Sequence, residues 1–260
     1  MSRTERMKRW VETPWPEIET RRSEVIAVLV TGSVEQHGPH LPIGTDVYIP
    51  NDIVDLMISK AEEGDGEFAS RFYLLPQLFY SYAKESDFWP GTLNLDGGTL
   101  TAVVRDVMKN LFRQGVRNAM IVNGHMESLG FIFEGIELAL ERHREASVIN
   151  VNWWDYVPDT LIEEVFGDRW PGWVAEHAAL TETSLMLHFR PELVNMARLE
   201  PGYIPEVKPY KRFPQLPEML PASGMYAGAD GASAATGKRL ADIIAEGILE
   251  SVVEVFKKTR

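Results

Sequence analysis

The chain has no cysteine among its 260 residues, so no disulfide can staple it, and a metal site must use nitrogen and oxygen ligands. Long apolar runs are missing too. "VIAVLV" falls far short of the roughly 20 residues that span a bilayer. Basic residues are scarce, 26 Lys and Arg against 38 Asp and Glu, and the formal charge of −12 argues against a nucleic-acid partner. The basic opening "MSRTERMKRW" is not followed by the apolar stretch of a signal peptide, so a cytoplasmic protein is expected. There is no internal repeat and no low-complexity linker, and 260 residues suit one domain over 1–260 better than two. What remains, 45% apolar and 25% charged, is ordinary for a globular protein.

The apolar patterning alternates between strands and helices. Residues 24–32, "EVIAVLVTG", read as a buried strand closed by glycine, and "RFYLLPQLFYS" as a second one that Pro76 confines to an edge or ends early. The pattern predicts a helix over 50–62, with Pro50 at its start and Ile53, Leu56, Met57 and Lys60 on one face. Another follows Thr99 as its cap, with Leu100, Val103, Val104, Val107 and Leu111 at helical spacing and Gly115 as its stop. "NAMIV" and "SVINVNWW" are further strands; helices are expected over 130–144, 178–189 and 233–257. Residues 200–231 hold six prolines and read as a long ordered loop or an interface arm. Strands alternating with helices imply an α/β fold: three layers, with a mainly parallel central sheet flanked by helices. Ligands in such folds collect beyond the C-terminal ends of the strands.

Two histidines stand directly after expected strands. His37 follows Glu35 by two residues in "SVEQHG", and His125 precedes Glu127 by two in "NGHMES". In extended chain such pairs share a side, so each segment can present a carboxylate and an imidazole to one place. Asp46, in "IGTD", adds a third carboxylate. Glu35, His37, Asp46, His125 and Glu127 together suit borderline divalent ions such as Zn²⁺ or Mn²⁺. Three carboxylates offset three of the four charges on two such ions, and a shared carboxylate leaves positions open for water and substrate. An isolated E-x-H pair is most often just solvated loop; two pairs at successive strand ends are harder to dismiss. Gly38 and Gly124 would permit the tight turns.

A third cluster, "WPGWVAEHAALTETS", sets Glu176 and His177 beside Trp170 and Trp173, ahead of a helix carrying Glu182. It reads either as an acid–base couple under a hydrophobic lid or as a capped helix start whose tryptophans pack. His40, His143 and His188 keep no such company.

"GSVEQHGPHLPIGTD", "WPGTLNLDG", "VNGHMES" and "EHAALTETSLML" together resemble the creatininase family of metal-dependent amidohydrolases, from about residue 24 to 198 and more loosely beyond. The resemblance implies one α/β domain, usually assembled as a hexamer. It implies that Glu35, Asp46 and His125 bind one metal and that His37, Asp46 and Glu127 bind the other, with Asp46 bridging. Trp154, Trp173 and His177 match positions around the substrate, and Ser86 is a candidate for a serine contact. The residue after His125 is tyrosine in creatininase and Met126 here; the residue after the lid tryptophan is aspartate there and Val174 here. The implied reaction is hydrolysis of a small cyclic amide, creatinine to creatine first. A formamide compound or a diketo-inositol ring is the alternative within the class. His177 is then expected to relay a proton, Glu127 to share that role, and Glu176 and Glu182 to orient them. A metal-binding or scaffold protein without catalysis is the alternative from another class.

Overall fold

Alternate residues of the strand Ile26–Thr31 (β2) face opposite cores, which is why the run is apolar throughout rather than every second residue. Ile26, Val28 and Val30 join one cluster; Val25, Ala27 and Leu29 join the other. The computed structural model describes residues 7–201, 206 and 208–257. Of the loop expected over 200–231, residues 202–205 and 207 lie outside the described residues, as do 1–6 and 258–260.

The remaining strands are Lys8–Arg9 (β1), Phe72–Leu74 (β3), Asn118–Asn123 (β4) and Ser147–Asn152 (β5). All pair in parallel, in the order β1-β3-β2-β4-β5. Helices Thr45–Gly64 (α2), Leu180–Phe189 (α7) and Ala234–Phe256 (α8) cover one face, where α8 packs on both α2 and α7. Gly97–Arg113 (α4) and Leu129–Leu140 (α5) cover the other. The short helices Trp15–Arg21 (α1), Gly66–Ala69 (α3) and Asp159–Val165 (α6) complete the set. The fold is therefore α/β, three layers about a parallel sheet. Among the described residues no helix is long and apolar enough to cross a membrane.

Several local expectations are corrected. The second helix begins at Thr45, so Pro50 lies inside it rather than at its start, and Lys60 turns outward to pair with Asp242 and Glu246 of α8. Pro50 is tolerated because it falls near the helix start, where it leaves only the Asp46 carbonyl without an i+4 donor. Asp96, not Thr99, is the N-cap of α4: its carbonyl accepts from the Thr99 and Leu100 amides, and two glycines begin the helix. Gly115 does close α4, with φ +97° and a bond from its N–H to the Phe112 carbonyl. Strand β3 ends at Leu74 ahead of Pro76, yet it is not an edge, since the two residues of β1 pair outside it.

Candidate metal centre

The register sets the site. Thr31 of β2 pairs with Asn123 of β4, so Gly32 and Gly124 leave the sheet side by side, and the first turn of α2 rests on them. A Cβ on Gly32 would lie 2.3 Å from the Asp46 carbonyl oxygen, and one on Gly124 only 2.1 Å from it. These two glycines serve close backbone approach, whereas Gly38, with φ +63°, serves a left-handed turn. Gly124→Ala is accordingly expected to cost about 3 kcal/mol and to displace Asp46. Urea unfolding and metal content, measured on the same preparation, check both effects.

Asp46, thus seated, is buried between two imidazoles. Its Oδ1 lies 3.0 Å from His37 Nε2, and its Oδ2 lies 3.1 Å from His125 Nδ1. His125 Nδ1 is also 3.1 Å from Glu35 Oε1, and Glu182 Oε2 stands 3.7 Å from His37 Nε2. The far nitrogens fix the rings. His125 Nε2 is 2.8 Å from the Tyr82 carbonyl and His37 Nδ1 is 3.2 Å from the Glu35 carbonyl. A carbonyl only accepts, so both far nitrogens carry the proton and both near nitrogens aim lone pairs at carboxylate oxygens. Lone pairs converging in this way require a cation. Without one, the rings must take up protons: burial opposes charging, but Asp46 and Glu182 hold the pKa of His37, and Glu35 and Asp46 that of His125, well above the ordinary value. Burial likewise opposes charge on Asp46, yet the two histidines keep its carboxyl well below the usual range. Asp46 Oδ2, although buried, accepts no hydrogen bond of acceptable geometry, which leaves it a free lone pair. The donor set fits divalent metal.

Among the described residues, Glu35, Asp46 and His125 form one group with ligand atoms within 4.8 Å of one another, and His37, Asp46 and Glu182 form another. Glu35, His37 and His177 form a third on the same terms. The structure thus gathers four of the five residues expected from spacing, and brings Glu182 to where Glu127 was expected. The i, i+2 premise does not hold for Glu127, because Met126–Ser128 turns as a 3₁₀ helix after an extended His125. Glu127 Oε2 lies 3.9 Å from His125 Nε2 and accepts from the Glu85 amide at 3.1 Å. Burial raises its carboxyl to about 7.

A cavity of about 260 Å³ opens over this cluster, walled by Ser86, Met126, Glu127, Trp154, Trp173 and His177 among others. Trp173 packs edge-on against both Trp153 and Trp170, which makes one aromatic wall. Glu176 does cap a helix: its Oε1 accepts from the amides of Thr181 and Glu182 at the start of α7, and burial, then Glu182, pushes it up to about 8. Glu182 Oε2 accepts from the Ala178 amide, where φ is +55°. The two glutamates therefore hold the turn that carries His177.

Spacing did not single out Gln36, Glu85, Lys211 or Tyr226. Gln36 is informative. Its Oε1 accepts from Gly38 N–H at 2.9 Å and its Nε2 donates to the Gly224 carbonyl at 2.8 Å, so the amide cannot be reversed. The same Nε2 lies 2.9 Å from His177 Nε2, which must accept. The proton of His177 consequently sits on Nδ1, 3.7 Å from Glu35 Oε1. Burial and the neighbouring His37 lower the pKa of His177, in keeping with a neutral ring. Only its place between two expected ligands, Glu35 and His37, could have flagged Gln36 in the sequence.

His40, outside the cavity, is buried with Nε2 2.9 Å from Thr183 Oγ1, and burial lowers its pKa to about 4. A depressed histidine stabilises the fold fully above the unfolded value of 6.5, and that stability is lost as pH falls toward 4. The loss reaches as much as about 3 kcal/mol. Denaturant unfolding at pH 7 and pH 4.5 should show it, with a smaller drop in His40→Gln.

Known proteins resemble this chain in sequence and in overall shape. Creatinine amidohydrolase of Pseudomonas putida is 33% identical over 261 residues, covering 95% of this chain and 97% of its own. A mycofactocin precursor peptide peptidase of Mycobacterium tuberculosis is 27% identical and covers 82% of this chain and 78% of its own. The solved manganese form of creatininase, 32% identical, superimposes with a TM-score of 0.87 over 96% of this chain and 99% of that one; a variant of Zn–Zn type gives 0.85 over 95% and 97%. The family model described as creatinine amidohydrolase matches residues 11–252, nearly end to end, and the chain belongs to the creatininase family of hydrolases.

Proposed function

We propose that this chain holds two divalent cations, Zn²⁺, Mn²⁺ or one of each, and hydrolyses a small cyclic amide, with creatinine to creatine as the first reaction to test. The observation that carries the reading is Asp46, whose two oxygens face the free nitrogens of two different histidines. Glu35, Asp46 and His125 would hold one cation. His37 and Asp46 would hold the other, with the Glu182 and Glu127 carboxylates beside the two rings. Such ions polarise a carbonyl oxygen and acidify water at the site.

Ring opening adds water across the amide: a carbon–oxygen bond forms, the carbon–nitrogen bond breaks, and the nitrogen gains a proton. His177 presents Nδ1–H as a hydrogen-bond donor to that departing nitrogen, on the side of Glu35. Glu127, raised to about 7, takes up and returns a proton near neutrality. Glu176 and Glu182 orient His177 through the turn they pin. Trp154 and Trp173 cover the substrate's faces, while Ser86 and Met126 line its edge. A cytoplasmic location and a hexameric assembly belong to the same reading.

Other substrates follow from the same geometry. Met126 and Val174 stand where creatininase has tyrosine and aspartate. The loss of these two polar contacts changes which polar ligand the site accepts, which keeps a formamide compound or a diketo-inositol ring as the second choice. The test is turnover by Mn²⁺- or Zn²⁺-loaded protein of creatinine, cyclic imides, a formamide compound and a diketo-inositol. Creatine formed from creatinine supports the first choice, and its absence removes it. A non-catalytic scaffold predicts instead that Glu127→Gln changes neither metal content nor any activity.

A further inference from the structure

The reaction cavity does not end at its aromatic wall. A second cavity of about 600 Å³ adjoins it and shares Glu85, Val174, Lys211 and Tyr226 as wall residues. The first, at about 260 Å³, suits one small ring; a compact substrate such as creatinine would leave the second unused. The charges at the junction are satisfied internally. Lys211 pairs with Glu85, Tyr226 O–H donates to Glu85 Oε2 at 3.2 Å, and Lys208 pairs with Glu206 farther out. Paired charges offer little to an ionic ligand.

Beside the exposed Arg212 and Glu218 of the outer wall, large apolar side chains also stand exposed. Val174 is 66% exposed on the boundary between the cavities. Beyond it, Phe213 is 80% and Met219 41% exposed on the wall of the second cavity. Met126, on the reaction side, is 43% exposed. Large apolar side chains gathered along one route from a catalytic cavity are the ordinary lining of a subsite that needs an apolar group to cover it.

We propose that the substrate carries, beyond its scissile amide, a neutral apolar group about the size of a phenyl ring, which passes Val174 into the second cavity. This rests on the reading of the first cavity as an amide-hydrolysing site. The occupant is part of the substrate, because the two cavities share walls; a second copy of the chain seated there is the competing outcome.

The test titrates metal-loaded protein with hydantoin and with 5-benzylhydantoin, by calorimetry, and assays both for ring opening. The benzyl compound should bind about tenfold or more tightly, given the apolar area it would bury. A Phe213→Ser, Met219→Ser double variant should lose that gain while its affinity for hydantoin stays the same. Equal affinities, a gain that survives the double substitution, or no saturable binding of the benzyl compound at millimolar concentration each overturns the proposal. So does a fall in oligomeric size by light scattering in the double variant, which would assign the apolar surface to a second copy. Benzyl-dependent binding without ring opening of either compound supports the subsite and removes the cyclic-amide reading. Hydantoin opened with no benzyl preference does the reverse.

Discussion

Asp46→Asn is expected to yield a folded protein that retains neither metal ion and turns over substrate at least about a thousandfold more slowly. Each carboxylate oxygen of Asp46 serves a different imidazole, at 3.0 and 3.1 Å, so one substitution strikes both halves of the centre. Asparagine keeps the shape but offers one neutral oxygen and one N–H₂, and the latter would face a ring nitrogen that has no free acceptor role once a cation is bound. Folding should survive. Asp46 is a buried charge that needs partners, and its removal relieves that requirement, with Glu35 and Glu182 still beside the histidines. Glu35→Gln provides the contrast: Glu35 lies in the group with Asp46 and His125 but not in the one with His37, Asp46 and Glu182, so it should cost one ion of two. Elemental analysis on desalted protein decides both. An Asp46→Asn variant that keeps two ions would sink the shared-carboxylate assignment.

The strands and the cluster of candidate ligands were legible because each left a one-dimensional trace. β2 and β4 are short apolar runs followed by glycine, and the paired carboxylates and imidazoles just beyond both of them are harder to read as solvated loop than either pair alone. Asp46 stood out by proximity, whereas its central place came from the family resemblance and not from the spacing. It depends on Gly32 and Gly124, which are 92 residues apart and become neighbours only through the β2–β4 register. Glu182 is expected as an orienting residue beside His177; that its carboxylate also comes within 3.7 Å of His37 Nε2 depends on packing that no local pattern encodes. For Glu127 the alternation argument does not apply, because the chain turns as a 3₁₀ helix over Met126–Ser128, and its carboxylate reaches the cavity wall by that turn instead. Lys211 and Tyr226 come from a proline-rich stretch that carries almost no periodicity, so nothing linked them to the cavity before its walls were seen.

The second large effect is expected at His177. His177→Ala should lower kcat about a hundredfold or more while metal content stays at two, because the ring touches the cavity without being needed in either group that includes Asp46. Gln36→Leu tests the same residue indirectly. The Gln36 amide is oriented by two backbone groups, and it forces His177 Nε2 to accept and Nδ1 to hold the proton. Leucine removes that constraint without adding charge, so the ring can turn or change tautomer. A loss of about tenfold in kcat, with KM little changed, is expected for a positioning residue. A loss of packing alone could imitate that, so the deciding readout is ¹⁵N NMR of the histidine side chains. His177 should show a protonated Nδ1 and a bare Nε2 in the unmodified protein, and a mixture of tautomers in Gln36→Leu. A protonated Nε2 in the unmodified protein would mean that the amide does not set the ring, and the donor at the cavity would then have to be sought in Glu127 alone.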